Sequence, residues 1–286
     1  MGCYLRPQGL EDAVAALADG GTTVLAGGTD FFPARAARGP GLKPDDRILD
    51  ITALDALRGI AESDGGFRLG ALTTWSALLR APLPPVFAAL KQAAREVGGV
   101  QIQNAGTLAG NLCNASPAAD GVPPLLAMDA TVELASRAGT RRLALDDFIL
   151  GNRRTAKRPD ELVTALQVPA FSPRARSVFL KLGARRYLVI SIVMVALLVD
   201  LDDDGNVTTA RVAVGSCAAR AHRLPAVEAA LTGQPFDQEL TARIGEEQLD
   251  PLTPIDDVRG SAAYRRAAAV ALIRRGLDAL LQQEAA

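Results

Sequence analysis

Short strand-like and helix-like segments alternate along the first hundred residues, and this alternation limits the fold more than any other feature of the sequence. Residues Gly9 to Ala18 carry their apolar side chains on one helical stripe, which Gly20-Gly21 ends. The apolar runs from Thr22 to Ala26 and from Arg47 to Ile51 predict two short buried strands. Strands and helices that follow one another through short connections predict a fold in which sheets pack against helices.

Further elements extend this prediction. Asp64-Gly65-Gly66 predicts a turn between two strands, and Thr73 is a candidate N-cap for the helix that follows. The periodicity stops between Gly98 and Pro124, where small and polar residues dominate, and we expect a long functional loop there. The other expected elements are a helix over Phe31 to Arg38 capped by Asp30, strands over Leu57 to Ala61 and Phe67 to Gly70, helices over Thr74 to Leu79 and Pro84 to Val97, and antiparallel strands over Ala130 to Ser136, Arg141 to Leu145 and Glu161 to Val168.

The run Ser172-Pro173-Arg174-Ala175-Arg176 is the most linker-like point of the chain. A length of 286 residues predicts one to two domains. We place a boundary at this run, which gives domains 1–172 and 173–286. The second domain is expected to combine strands over Ser177 to Leu182, Val189 to Asp200 and Asn206 to Val214 with helices over Leu224 to Leu231, Asp237 to Glu247 and Ser261 to Leu281.

Charge and the rare residue types exclude several function classes. With 31 Lys and Arg against 32 Asp and Glu the net charge is −1, so no nucleic-acid partner is predicted. The cysteines Cys3, Cys113 and Cys217 are too widely spaced for a CxxC site and odd in number for a disulfide framework, which favours a reducing cytoplasm. A single histidine, His222, cannot build a multi-histidine metal site, and we expect none.

The sequence predicts neither export nor a membrane span. Met1 to Pro7 lacks the features of a secretory signal, and Arg6 stands where a myristoylation pattern has Ser or Thr. The longest apolar stretch, Tyr187 to Val199, is shorter than the roughly 18 to 20 residues that span a bilayer. We interpret this stretch as a buried strand.

Two other motifs favour structural interpretations. The run from Asp200 to Gly205 begins like a calcium loop, but Arg211 stands where a bidentate Glu would bind the ion, so a hairpin turn is favoured. His222 precedes a helix that Pro225 begins, which favours a surface or capping role. Phosphate-loop and Rossmann glycine patterns are absent from the sequence.

Two glycine-bearing segments are the candidate ligand loops. They are Ala26-Gly27-Gly28-Thr29-Asp30 and Ala105-Gly106-Thr107-Leu108-Ala109-Gly110-Asn111. Glycine lets backbone N–H groups approach a ligand, and the neighbouring hydroxyl and amide groups can donate to phosphate oxygens. Two such loops suggest a pyrophosphate held from both sides, but two ordinary tight turns explain the same residues. The spacing alone leaves both interpretations open.

A longer match decides between them. The first glycine loop is followed by Thr107-Leu108-Ala109-Gly110-Asn111-Leu112-Cys113-Asn114-Ala115-Ser116-Pro117-Ala118-Ala119-Asp120, and later by Lys181 to Arg186 and Asp257 to Arg266. In these segments, which run nearly end to end, the sequence resembles the FAD-binding medium subunit of the molybdenum hydroxylases, the family of xanthine dehydrogenase and aerobic carbon monoxide dehydrogenase. The stretch from Thr107 to Asp120 is the specific part of the match.

The resemblance implies a set of FAD-binding residues. Thr29 and the backbone amides of its loop would hold the pyrophosphate, together with the second loop. Asp120 would contact the sugar-like chain of the flavin, Val163 would lie near the cofactor, and Lys181 would lie near the isoalloxazine edge, where a cation stabilises reduced flavin. Ala109 replaces a glycine that is common in the family, and it fits only if φ stays negative. The full set is Leu25, Ala26, Gly27, Gly28, Thr29, Asp30, Phe31, Thr107, Ala109, Gly110, Asn111, Asp120, Val163, Lys181, Tyr187 and Ile190.

The implied fold is α+β. The resemblance predicts a two-lobed FAD-binding domain of the vanillyl-alcohol-oxidase-like (PCMH) type, followed by a smaller domain of antiparallel sheet plus helices. It also implies an electron-transfer subunit of a cytoplasmic heterotrimer. Electrons would pass from the 2Fe-2S clusters of a small subunit through FAD to NAD or another acceptor, while substrate is hydroxylated at a molybdopterin centre in a large subunit.

Two rival interpretations remain. A free-standing FAD-dependent reductase of the same superfamily would need its own acid or base, and the sequence offers no convincing one. A scaffold subunit that has lost flavin is disfavoured by the intact loop residues Gly27, Gly28, Thr29, Gly110 and Asn111. Some relatives carry an extra iron-sulfur cluster in this subunit, but three dispersed cysteines cannot supply four thiolates.

Overall fold

The structure is a computed structural model that describes residues 2–36, 39, 46–63 and 65–284. Met1, Ala37, Arg38 and Asp64, which belong to segments predicted above, lie outside the described residues. Within the described part of the chain, no helix combines the length and apolar character needed to cross a membrane.

The first lobe is a small parallel sheet with two helices. Its three strands have the order β1-β3-β2, and Arg47 of β3 pairs with Cys3 on one side and Thr22 on the other. The first helix buries Ala13 and Leu17 completely, as its apolar stripe predicts. The elements are β1 (Cys3–Leu5), α1 (Leu10–Leu17), β2 (Thr22–Leu25), α2 (Phe31–Ala36) and β3 (Arg47–Asp50).

The second lobe is a five-stranded antiparallel sheet of order β4-β5-β10-β6-β7, covered by helices. The N-cap of its first helix is Thr74, whose hydroxyl accepts a hydrogen bond from the Ala77 N–H at 3.2 Å. The predicted cap Thr73 is wrong by one residue, because its hydroxyl donates to the Gly59 carbonyl at 2.9 Å. The elements are β4 (Ile60–Ser63), β5 (Gly66–Gly70), α3 (Trp75–Arg80), α4 (Ala88–Glu96), α5 (Val100–Ala105), α6 (Leu108–Asn114), α7 (Val122–Ala127), β6 (Thr131–Ser136), β7 (Gly139–Ala144), α8 (Leu145–Phe148), β8 (Ile149–Gly151), β9 (Arg154–Thr155) and β10 (Leu162–Pro169).

The long loop expected between Gly98 and Pro124 is wrong, since α5, α6 and α7 occupy most of it. Each of these helices has six or seven residues, so none repeats an apolar stripe long enough to show a helical period. Local signals define them instead. Thr107 caps α6, and Ala115 ends it in the left-handed region at φ 46°.

The carboxyl-terminal part is a four-stranded antiparallel sheet of order β11-β12-β13-β14, with helices on one face. Both faces are buried. Met194 and Ala196 belong to the core of the first 171 residues, whereas Val193 and Val195 belong to a second core with the last helix. The elements are β11 (Arg176–Leu182), β12 (Val193–Leu201), β13 (Val207–Gly215), β14 (His222–Arg223), α9 (Pro225–Leu231), α10 (Gln238–Ala242) and α11 (Ala262–Glu284).

Two predictions near this sheet have opposite outcomes. The hairpin turn is confirmed, because the Asp202 carboxylate accepts the N–H groups of Asp204 and Asn206 between β12 and β13. The buried strand expected from Tyr187 is wrong in its first half. The strand begins at Val193, and Tyr187 and Ile190 lie on an exposed loop. The linker-like run at Ser172 lies between β10 and β11, and the domain boundary there stays a prediction.

Candidate functional site

A pocket of about 780 Å³ lies where the two lobes meet. Its walls come from β2, the start of α2, the helices α5 and α6, and the beginning of β10. This volume lies within the range of small-molecule and cofactor sites. Both candidate glycine loops line the pocket, as does Val163.

The first loop joins β2 to α2 and presents backbone donors to the pocket. Among the described residues, the N–H groups of Gly27, Gly28 and Thr29 have no hydrogen-bond acceptor. A Cβ on Gly27 would lie 2.0 Å from the Ala105 carbonyl oxygen, and Gly28 has φ +75°. Glycine is therefore required at both positions, by close packing at the first and by backbone conformation at the second.

The second loop is the first turn of α6. The Thr107 hydroxyl accepts the Gly110 N–H at 3.0 Å, and Ala109 is a buried helical residue without a positive φ. The requirement that the sequence placed on Ala109 is thus met. The side-chain oxygen Oδ1 of Asn111 is buried and has no partner within the described part of the chain.

These two loops face each other and fit an anionic cofactor. A Cβ on Gly106, just before the second loop, would lie 3.4 Å from the Thr29 hydroxyl oxygen. Free N–H groups and the unpartnered Asn111 amide surround a space that protein atoms do not fill. Converging neutral donors of this kind bind phosphate oxygens without a cation in the loop. The residues present therefore fit the FAD pyrophosphate that the sequence predicts.

A polar chain that the sequence did not reveal fixes the first loop to α6. The Asn114 amide donates to the Asp30 carboxylate at 2.8 Å, and the Arg153 guanidinium donates to the Asn114 side-chain oxygen. The Arg153 N–H also donates to the Ala115 carbonyl at 2.8 Å. The Asp30 side chain therefore holds the loop in place. Asn114 lies within the quoted family segment, but no sequence signal pointed to Arg153.

Asp120 and Lys181 form a buried ion pair with a distance of 2.7 Å between Nζ and Oδ2. The Ser191 hydroxyl donates to the other Asp120 oxygen at 2.7 Å. Burial raises the pKa of Asp120, while Lys181 and Ser191 act in the opposite direction. Neither member of the pair lines the pocket. The structure therefore brings these two predicted residues together, but away from the pocket wall.

Three other predicted residues also lie off the pocket wall. Leu25 is buried in the core of the first lobes. Tyr187 is 61% exposed and Ile190 is 59% exposed, on the loop between β11 and β12. Their roles toward a cofactor stay predictions.

Cys113 and Lys157 line the pocket and were not predicted as site residues. The pocket mouth leaves Cys113 accessible, but protein surrounds the thiol, and this desolvation raises its pKa to about 11. The nearby Lys157 acts in the opposite direction. Cys113 is therefore a neutral thiol near pH 7 rather than a nucleophile.

The acids and bases of the pocket are engaged elsewhere. Glu161 lines the pocket but receives two hydrogen bonds from Arg141, one of them 2.9 Å long. Burial alone would raise the pKa of Glu161, but the bonds from Arg141 and from the Arg158 N–H outweigh burial and lower it. Arg35 is paired with Asp46. Among the described residues no group of three His, Cys, Asp or Glu side chains could hold a metal ion.

Comparisons with known families give one match for each part of the chain. Residues 1–171 match the family described as FAD binding domain in molybdopterin dehydrogenase. Residues 179–280 match the family described as CO dehydrogenase flavoprotein C-terminal domain. The chain is 31% identical to the nicotinate dehydrogenase FAD-subunit of Eubacterium barkeri, over 98% of this chain and 96% of that protein.

Solved structures share the whole fold. The chain resembles carbon monoxide dehydrogenase from Hydrogenophaga pseudoflava with a TM-score of 0.87 and 29% identity, over 98% of this chain and 97% of that one. It resembles quinoline 2-oxidoreductase from Pseudomonas putida 86 with a TM-score of 0.88 and 25% identity, over 99% and 98% of the two chains. The similarity therefore covers both lobes and the carboxyl-terminal sheet.

Proposed function

Because this chain belongs to the family of FAD-binding medium subunits of the molybdenum hydroxylases, we propose that it binds FAD in the pocket and relays electrons. The donor would be the 2Fe-2S clusters of a small partner subunit, and the acceptor NAD or another oxidant. The family makes it an oxidoreductase subunit. Substrate hydroxylation would take place at a molybdopterin centre in a large subunit of a heterotrimer.

The unpartnered donors of the two facing loops carry this proposal. Gly27, Gly28 and Thr29 would donate their N–H groups to one side of the pyrophosphate, and Asn111 would bind it from the other side through its amide. FAD, when bound, supplies a carrier that can take up and pass on two electrons. The chain supplies position: the Asp30, Asn114 and Arg153 side chains hold both loops at a fixed separation.

We also propose that Lys181 and Asp120 act together near the flavin ring, with Tyr187 and Ile190 contributing from the neighbouring loop. A lone ammonium group would favour a negatively charged reduced ring, but Asp120 at 2.7 Å cancels much of that field. Lys181→Met should therefore leave an uncompensated carboxylate and lower the flavin reduction potential. Flavin binding should change less, because the loops carry it.

A free-standing reductase is the second candidate, and the pocket supports it less well. Such an enzyme needs a free acid or base beside the substrate. Within the described lining, Asp30 and Glu161 are held by hydrogen bonds and Cys113 keeps its proton. A cytoplasmic location is likewise proposed, since Cys3, Cys113 and Cys217 are free thiols.

The proposed function is tested with the chain alone and with its partners. Purified chain reconstituted with FAD should show a flavin spectrum and should pass electrons from reduced flavin to an artificial dye. It should form no hydroxylated product until the iron-sulfur and molybdopterin subunits are added. A folded chain that fails to bind FAD, or one that hydroxylates substrate alone, would overturn the assignment.

A further inference from the structure

Exposed apolar side chains concentrate in three segments of this chain. Among the described residues, seven of the eleven most exposed large apolar side chains lie in residues 100–102, 187–190 and 255–258. Val258 is fully exposed and Ile255 is 70% exposed. Scattered exposed apolar residues are normal, but a contiguous group marks an interaction site. We name these three segments the apolar face.

Two contacts show that the segments adjoin. The Leu188 side chain lies 3.7 Å from the Cβ position of Gly99, which joins the 187–190 loop to the start of α5. Ile192, at the end of that loop, lies 3.6 Å from the Cβ position of Gly260. The Arg265 guanidinium also donates to the Ile192 carbonyl at 2.6 Å and to Asp257 at 2.7 Å. The third segment is thereby fixed beside the loop.

The loop is held in a conformation that exposes its apolar side chains. Leu188 has φ 52°, which is unfavourable for a residue with a Cβ. Arg185 stabilises this conformation by donating from Nε to the Leu188 carbonyl at 3.2 Å, and the Arg186 guanidinium lies 5.1 Å from the centre of the Tyr187 ring. Strained backbone that the surroundings maintain is concentrated at functional sites.

The apolar face reaches the cofactor pocket and has a basic margin. Ile102 belongs to the face and also lines the pocket. Arg185, Arg186 and Arg259 are exposed along the margin. The nearby Asp257 carboxylate is neutralised, since it pairs with both Arg259 and Arg265.

We propose that the apolar face docks the electron-donating iron-sulfur subunit, through a partner surface with an apolar centre and an acidic margin. This inference rests on the proposed function, because a donor must approach the pocket that holds the flavin. Docking buries the exposed apolar side chains, and opposite charges at the margin orient the encounter. A second copy of this chain fits less well, because a two-fold contact would bring the arginine margins of both copies together.

The test places a negative charge on the apolar face. Val258→Asp changes a fully exposed side chain, and Leu188→Asp introduces a residue that tolerates the left-handed region better than Leu. Leu150→Asp is the matched control, since Leu150 is 51% exposed on β8 outside the apolar face. Each variant is expressed with both partner subunits and recovered through a tag on this chain.

Both face variants should recover at least tenfold less iron-sulfur subunit than the wild type and the control, with unchanged FAD content and thermal stability of the isolated chain. Normal assembly of both face variants would overturn the docking inference and leave the proposed function standing. Loss of a homo-oligomer without loss of the iron-sulfur subunit would also overturn it. A wild-type chain recovered with FAD but without partners would overturn the proposed relay and the docking inference together.

Discussion

The ammonium nitrogen of Lys181 lies 2.7 Å from Oδ2 of Asp120, and both side chains are more than nine-tenths buried. The Ser191 hydroxyl occupies the second carboxylate oxygen. Asp120 precedes α7, Lys181 is on β11, and Ser191 ends the 187–190 loop segment that leads into β12. One carboxylate thus joins the amino-terminal lobes to the carboxyl-terminal sheet close to the exposed loop.

Breaking this pair from one side should be costly. Lys181→Met leaves the Asp120 carboxylate buried with a single hydroxyl partner, and we expect a loss of about 3–5 kcal/mol of unfolding free energy. The double variant Asp120→Asn, Lys181→Met removes both charges and should recover most of this loss. Urea unfolding of the two single variants and the double variant measures the coupling. Additive losses would show that the pair does not interact.

Asn111→Ala should separate cofactor binding from stability. The Asn111 oxygen is buried without a protein partner, so its removal costs the unliganded chain little. If the amide binds the pyrophosphate, FAD affinity should fall by about tenfold or more, the loss of about one hydrogen bond to a charged group. Titration followed by flavin fluorescence measures affinity, and thermal unfolding of the chain without FAD is the control. Unchanged affinity would contradict the assigned role.

Gly27→Ala should weaken both the fold and the site. A Cβ there would lie 2.0 Å from the Ala105 carbonyl oxygen, so the two loops must move apart. Gly65→Ala is the matched control, because no atom lies within 4 Å of its Cβ position. Gly28→Val and Gly110→Val are less selective probes than the sequence suggests, since their Cβ atoms would meet the Phe32 ring and the Thr107 hydroxyl. FAD content and melting temperature should fall together for Gly27→Ala and stay normal for Gly65→Ala.

The Cys113 thiol offers a direct probe of pocket occupancy. Its pKa of about 11 means that the thiolate fraction, and hence alkylation by iodoacetamide, should rise about tenfold per pH unit between pH 7 and 10. Bound FAD should suppress this labelling, because Cys113 lines the pocket. Cys217 is buried with a pKa of about 12 and should stay unlabelled in the folded chain. Peptide mass spectrometry separates the sites, and equal Cys113 labelling with and without FAD would place the cofactor elsewhere.

His222 should make the fold sensitive to mild acid. Burial, helped by Arg220, lowers the pKa of His222, while Asp146 opposes the shift. The folded state therefore favours the neutral ring, and this contribution to stability is present above the unfolded pKa of about 6.5 and is lost as pH falls through the folded value. Since the chain has one histidine, its ring proton signal gives the folded pKa by NMR. His222→Gln should reduce the loss of unfolding free energy below pH 6.5 by roughly the stabilisation that this shift provides. A titration midpoint above about 6.5 would contradict the expectation.

Much of the fold follows from local sequence patterns. The last helix was predicted from the stripe Val270, Ile273, Leu277 and Leu280, and all four side chains are buried. The hairpin turn at Asp202 follows from residues that hydrogen-bond their own backbone. The short helices after Gly98 were missed because six or seven residues give too little periodicity, and only caps such as Thr107 mark them.

The sequence by itself determined the two glycine loops, since glycine, hydroxyl and amide residues within a few positions already define what an anion-binding backbone needs. It also determined the family, because the match extends along the chain. Tertiary structure alone decided how distant side chains combine. Asp120 and Lys181 are 61 positions apart and neutralise each other, and Arg153 reaches Asn114 from a hairpin 39 positions away. It also decided that the apolar run beginning at Tyr187 divides into an exposed loop and a buried strand. Burial of that run depends on which surfaces pack around it, and no local pattern of side chains carries that information.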